Sequence, residues 1–210
     1  MSELQEKMKF QSVEKKSLSA FYRLTTLPLE TEKLDRLRSA ILKWQQVANE
    51  EFEGYLKQCE AQPASPMADY GFDPVGDEAF MFGQTGRVMW ASFAVAISST
   101  VEHLFGSICK SLQLTLPAKP NWGNKKDAIE KRLNLNFNSL AEFTNVTLAR
   151  LLANCFKHNA GVVNAELSQH DGRSVDAEIE YEKEPWQTIL ADTKSFMTAV
   201  VDRLDAEVVK

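Results

Sequence analysis

The amino-acid sequence predicts an all-α fold: a helical bundle of about five or six helices with a small β-hairpin before the C-terminal helix. Three observations predict it. Apolar residues recur at three- and four-residue steps over most of the chain. One stretch, Val88 to Ile97, is apolar nearly all round, as a central buried helix is. Two-residue alternation is confined to Val175, Ala177, Ile179 and Tyr181, just after the tight-turn dipeptide Asp171-Gly172.

The elements follow in order. Phe10, Val13, Phe21, Tyr22 and Leu24 begin a helix-like pattern that breaks at Leu27-Pro28, because proline lacks a donor and clashes inside a helix. Leu34, Leu37, Ile41, Trp44, Ala48, Phe52, Tyr55 and Leu56 form one face of a long helix over residues 31–58, with Glu30 or Thr31 at its start. Residues 60–86 carry Pro63, Pro66, Gly71, Pro74, Gly76, Gly83 and Gly86, and read as a long ordered loop anchored by Phe72, Phe80 and Phe82. A helix from Gly86 to Leu112 keeps Ile97, Val101, Leu104, Phe105, Ile108 and Leu112 on one side.

Asn121-Trp122-Gly123-Asn124 is a turn and N-cap for a short helix with Ala128, Ile129 and Leu133 inward and Lys125, Lys126, Lys131 and Arg132 outward. Ser139-Leu140-Ala141-Glu142 matches a capping box for the next helix, whose apolar side is Leu140, Phe143, Leu148, Leu151, Leu152 and Cys155. It runs to Lys157 or His158, with Asn159 and Gly161 suited to a left-handed exit. Val162–Leu167 and residues 175–181 pair as the hairpin. Pro185, suited to N1, opens a last helix with Trp186, Ile189, Leu190, Phe196, Met197, Val200 and Leu204 inward. The whole is one helical domain over residues 1–210, with an N-terminal helical extension at 1–58 and the loop at 60–86.

A chain of 210 residues suffices for one substantial core or two small ones. A net charge of -5 argues against a protein that coats nucleic acid, but leaves room for a local basic site. Cys59, Cys109 and Cys155 show no CxxC spacing, which suits a reducing compartment. Residues 1–7 are charged and lack an apolar signal core, and no apolar run reaches the roughly 20 residues of a bilayer span. A soluble cytoplasmic protein with no membrane association is expected.

The chemistry concentrates at one helix end. Arg150, Asn154 and His158 are four residues apart and form one polar stripe. A guanidinium, an amide and an imidazole together suit a phosphate, and His158 suits acid–base work near neutral pH. The bland alternative is a solvated helix edge whose histidine meets the final carbonyls. Cys155 lies on the apolar side and reads as a small buried hydrophobe rather than a nucleophile. No spacing of His, Cys or acidic residues supplies a metal site, and no phosphate-loop or dinucleotide glycine pattern is present, so no cofactor is expected.

The segment Asn154-Cys155-Phe156-Lys157-His158-Asn159-Ala160-Gly161 resembles the Arg-Asn-x-x-x-His hallmark of the HEPN superfamily, including the Asn-x-Gly that often follows. The helix carrying Ser98-Ser99-Thr100-Val101-Glu102-His103-Leu104-Phe105 resembles the family's long helix with its acidic residue. The resemblance covers residues 87–204. It implies a helical, often dimeric, RNA-directed protein. Its active form is a metal-independent endoribonuclease of toxin or antiviral-defence type, and its alternative is a catalytically inactive protein-interaction or regulatory module. The implied partners are a second copy of the chain, RNA, and an antitoxin or defence-complex subunit. Carried over, Asn154 and His158 match the motif and Glu102 matches the acidic position. Ala153 stands where the arginine is expected, so Arg150 or Lys157 must supply the cation.

Overall fold

The computed structural model describes residues 18–60 and 74–204. Six helices carry the architecture: α1 (Leu27–Glu60), α2 (Pro74–Ser111), α3 (Trp122–Leu133), α4 (Phe143–His158), α5 (Ala165–Asp171) and α6 (Trp186–Arg203). A helical turn, Leu18–Phe21, and a π-helical turn, Tyr22–Thr26, lead into α1. The central helix is α2, against which α1, α3, α4 and α6 all pack.

The buried face of α2 explains this position. Trp90, Ala91, Phe93, Ala94 and Ile97 join one apolar cluster with Leu34 and Ile41 of α1, Leu148, Ala149, Leu151, Leu152, Ala153 and Cys155 of α4, and Trp186, Ile189 and Leu190 of α6. Further along, Val101, Leu104, Phe105 and Ile108 join a second cluster with α3, the start of α4 and the second half of α6. The two clusters show α4 running antiparallel to α2. By length and composition α2 is apolar enough to cross a membrane, yet 56% of its most apolar stretch is buried inside the molecule. That is the pattern of a core helix.

The predicted helices at 31–58 and 86–112, the short helix after the 121–124 turn and the last helix opened by Pro185 are present, and their predicted inward residues are largely buried. Within the predicted turn at 121–124, Asn121 is the residue that caps α3: its side chain accepts from the Asn124 amide at 2.9 Å, and Asn124 Oδ1 accepts from the Asn121 amide at 3.1 Å. Four expectations need correction.

Pro28 does not break the first helix. The Leu27 amide reaches back to the Tyr22 carbonyl, and this wider π turn carries the chain past the missing donor and the bulky ring. Thr31 therefore lies inside α1 rather than at its start, and its hydroxyl donates to the Leu27 carbonyl at 2.8 Å.

Residues 74–86 are helix, not loop. Pro74 takes the first helical position, where its missing N–H costs nothing. Glycine disfavours a helix by about 1 kcal/mol, and contacts with α1 offset this. Phe82 meets Phe52 edge-on at 5.5 Å, and Gly86 lets the helix pass close to the Trp44 ring. The remainder of the predicted loop, 61–73, lies outside the described residues, as do Phe10 and Val13 of the N-terminal extension.

The Ser139–Glu142 capping box does not form. Ser139 Oγ donates to the Asn136 carbonyl at 2.7 Å within a 3-10 turn, Phe137–Ser139. Phe137 is fully buried against Phe105, Phe143 and Phe196. Burying that ring forces a turn there and delays the helix to Phe143.

The β-hairpin is absent, and no strand occurs among the described residues. Asn164 caps a helix instead, accepting from the Leu167 amide at 2.9 Å and swinging Leu167 into the core. Asp171-Gly172, read as a hairpin turn, is the left-handed end of that helix. The flanking segments do lie side by side. Val163 N donates to Ala177 O at 2.8 Å and Ile179 N to Gly161 O at 3.0 Å. Only an isolated bridge, Val162 with Glu178, results. Of the alternating residues, Ile179 and Tyr181 are buried while Val175 and Ala177 are exposed, which is too little to hold a strand.

Candidate functional site at the end of α4

The α4 helix extends through His158, so Arg150, Asn154 and His158 share one face as the spacing predicts. Leu151, Leu152, Ala153 and Cys155 are buried on the other side, which fixes that face outward. His158 and Lys157 are exposed and Asn154 is half-buried. Among the described residues, the side chains of Asn154, Lys157 and His158 make no hydrogen bond or ion pair. They remain available to a ligand.

The other two predicted residues are committed. An Arg150 amino group lies 3.7 Å from a Glu166 carboxylate oxygen on α5. Glu102 receives Lys125 Nζ of α3 at 2.7 Å. Glu102 is also distant from the motif. Arg87 of α2 meets the chain just past His158, and Glu102 lies four turns further along the same helix, about 22 Å at 1.5 Å per residue. The acidic residue and the histidine therefore sit at opposite ends of the α2–α4 contact. The structure does not bring Glu102 into the candidate site.

Ala153 is fully buried in the core. A guanidinium at that position would point into apolar packing rather than beside His158. Arg87 is not among the predicted site residues, yet it is the arginine that meets this end of α4. Its Nη2 donates to the Gly161 carbonyl at 3.1 Å, and its Nη1 pairs with Glu178. A lone charge opening the most apolar stretch of the chain was the available signal. A half-buried guanidinium needs partners, and here they lie in the segment after the helix.

Gly161 shows how tightly this exit is built. Its φ is +77°, and a Cβ placed there would lie 2.7 Å from Arg87 Nη2. Both the backbone conformation and the close guanidinium require glycine. The Gly161 amide reaches back to the Cys155 carbonyl at 3.0 Å, and Asn159 Nδ2 donates to Val162 O at 2.9 Å. Asn159 itself is not left-handed; Ala160 and Gly161 are. The predicted left-handed exit thus falls one residue later than Asn159.

Beneath the polar face the packing is dry. Burial pushes the Cys155 thiol above its ordinary range, so it stays protonated near neutral pH and is no nucleophile. Tyr181 donates its hydroxyl to the Leu152 carbonyl at 3.0 Å, and Trp186 donates its indole N–H to the Tyr181 carbonyl at 2.6 Å. Burial drives the Tyr181 phenol well above its ordinary range near 10. In the unfolded chain the phenol ionises near pH 10, but in the folded chain it resists. Its contribution is therefore complete below pH 10 and is lost as pH rises further. A thermal melting series from pH 8 to 11 should show the midpoint falling above pH 9–10. Tyr181→Phe should flatten that fall while costing about 1 kcal/mol at pH 7 from the lost hydrogen bond. An equally steep fall in the variant assigns the effect to other groups.

No group of three His, Cys, Asp or Glu side chains able to hold a metal occurs among the described residues. The exposed imidazole and ammonium and the half-buried amide can together bind an oxyanion and move a proton. No family model, curated protein or solved structure matches this chain.

Proposed function

We propose that this chain is a HEPN-like, RNA-directed protein acting as a metal-independent endoribonuclease of toxin or antiviral-defence type. The observation that carries the reading is the exposed, unpaired His158 at the end of α4, with Asn154 one turn behind it and Lys157 beside it. In the reaction, His158 takes the proton of a ribose 2′-hydroxyl and the 2′-oxygen attacks the adjacent phosphorus. The bond to the 5′-oxygen breaks, that oxygen takes a proton from water, and the imidazolium returns its proton to solvent, leaving a 2′,3′-cyclic phosphate and a 5′-hydroxyl. The attacking oxygen belongs to RNA, so no metal is needed to generate it. Asn154 orients the phosphate or the imidazole. Lys157 is the available cation. Arg150 is a second one, because its 3.7 Å pairing with the exposed Glu166 is worth only about 0–1 kcal/mol and yields to a phosphate. The working form is a cytoplasmic homodimer that an antitoxin or defence-complex subunit restrains.

An RNA-cleavage assay in excess chelator tests this. His158→Ala should slow cleavage at least about 100-fold, the span that removal of an acid–base group produces. Equal background in wild type and variant would remove the enzyme claim. A monomer in light scattering at high concentration counts against the paired form.

A second reading has its own support in the buried Ala153 and the distant, salt-bridged Glu102. In it the chain is a catalytically inactive HEPN-like interaction module, and the α4 end contacts a protein. This reading gains if His158→Ala breaks a defined complex while RNA binding is undetectable.

A further inference from the structure

Among the described residues two buried donor atoms, the Trp90 indole N–H and the Arg38 Nε, have no hydrogen-bond partner. Trp90 is 3% exposed, and its indole N–H has no hydrogen-bond partner. Its ring stacks on Trp186 at 5.6 Å with the planes 3° apart, which holds it in place. Arg38 lies on the inward face of α1 between the buried Leu34 and Ile41, and its Nε is likewise buried and unpaired. No carboxylate among the described residues pairs with this guanidinium. Asp35, one turn away, is taken by Lys194 of α6 at 2.5 Å.

The helix register brings the two donors together. Glu30 faces His103, and Trp44 faces Gly86, so Arg38 stands level with Phe93 and Ala94 of α2. Trp90 is one turn from there, an axial offset of about 6 Å. Leu34, Ile41, Trp90, Trp186 and Leu190 belong to one packed cluster, so the seam involves α1, α2 and α6. A buried donor without an acceptor costs about 1–3 kcal/mol, and more for a charged group. Arg38 is half-buried with only its Nε enclosed, so a water could serve either donor, whereas an anion serves both and carries the charge opposite to the guanidinium.

We propose that the seam between α1, α2 and α6 is a site for a small oxyanion, a carboxylate or a phosphate, held by the Arg38 guanidinium with the Trp90 indole N–H as second donor. Planar paired donors suit an oxyanion better than a lone ammonium does. Lys194 adds positive charge from α6, balanced by Asp35. The site is independent of the His158 chemistry, and no variant below touches that residue.

Amide and indole NMR spectra of the full chain test it directly. The protein has four tryptophans, so it gives four indole N–H signals, and Trp90→Phe identifies one by its loss while keeping an aromatic ring in the stack. Titration with sodium phosphate, or with sodium acetate, is compared with sodium chloride at equal ionic strength. The expected result is a progressive, saturating shift of the Trp90 signal with phosphate, acetate or both. The arm that moves it names the source. Arg38→Gln should weaken the binding at least about ten-fold. If that variant does not fold, Arg38→Lys, which keeps the charge and loses the fork, should show an intermediate loss. A Trp90 signal unmoved by both anions, moved equally by chloride, or moved with unchanged affinity in the arginine variants overturns the proposal.

Discussion

Ala153→Arg is expected to destabilise the protein by about 4 kcal/mol or more and to add no ribonuclease activity. Sequence comparison alone suggests the opposite, since the substitution completes the Arg-Asn-x-x-x-His pattern. Ala153 is wholly buried, between the buried Leu152 and the half-buried Asn154, in the cluster that joins α4 to α2. A long side chain there overpacks the core, at about 1–3 kcal/mol. Its charge would also be buried in an apolar cluster, a mechanism that by itself costs about 3–5 kcal/mol. Urea denaturation measures the loss directly, and the melting midpoint should fall by about 10 °C or more. An Ala153→Arg protein as stable as wild type, with faster RNA cleavage, would show that the guanidinium escapes to the polar face. It would also restore the usual arrangement of the motif.

Phe196→Ala should be as damaging at the other end of the molecule. Phe196 is fully buried on α6, and its ring meets Phe105, Phe137 and Phe143 at centroid distances of 6.0, 5.1 and 5.1 Å. Those rings come from α2, the turn before α4, and α4 itself. Truncation leaves a cavity that rigid aromatic neighbours fill poorly, so a loss of about 3–5 kcal/mol is expected. The 137–139 turn, whose position depends on burying Phe137, should gain amide exchange before the rest of the chain does. A loss below about 1 kcal/mol would mean that the cluster collapses around the gap.

His158→Ala and Phe196→Ala separate function from fold. His158→Ala leaves the core untouched and reads the chemistry, whereas Phe196→Ala reads the packing far from α4's exit. If Phe196→Ala abolished RNA cleavage at a temperature where the protein stays folded, the site would depend on the second cluster, and the reading centred on His158 would be incomplete.

Much of the fold is legible in single residues. The three- and four-residue recurrence of Leu34, Ile41 and Ala48, of Ile97 through Ile108, and of Trp186 through Leu204 marks faces that are buried in the structure. Such a period survives because a helix buries one stripe whatever it packs against. Asn121 is legible for a similar reason, since its cap uses only atoms three residues away. The outward face of Arg150, Asn154 and His158 is also local, because the intervening Leu151, Leu152 and Cys155 had to face inward.

What the tertiary structure alone decided lies where a local signal met a distant partner. Pro28 reads as a break until a π turn carries the chain past it. Gly76, Gly83 and Gly86 read as loop until Phe52 and Trp44 pack against that helix. Ser139 reads as a cap until Phe137 is buried beside Phe196, and Asp171-Gly172 reads as a hairpin turn until Asn164 starts a helix before it. The separation of Glu102 from His158, the burial of Ala153 and the grip of Arg87 on Gly161 were settled in the same way. Local chemistry determines which residues prefer a helix and which face inward. The choice of neighbours depends on contacts between residues far apart in sequence, and no short-range pattern encodes those.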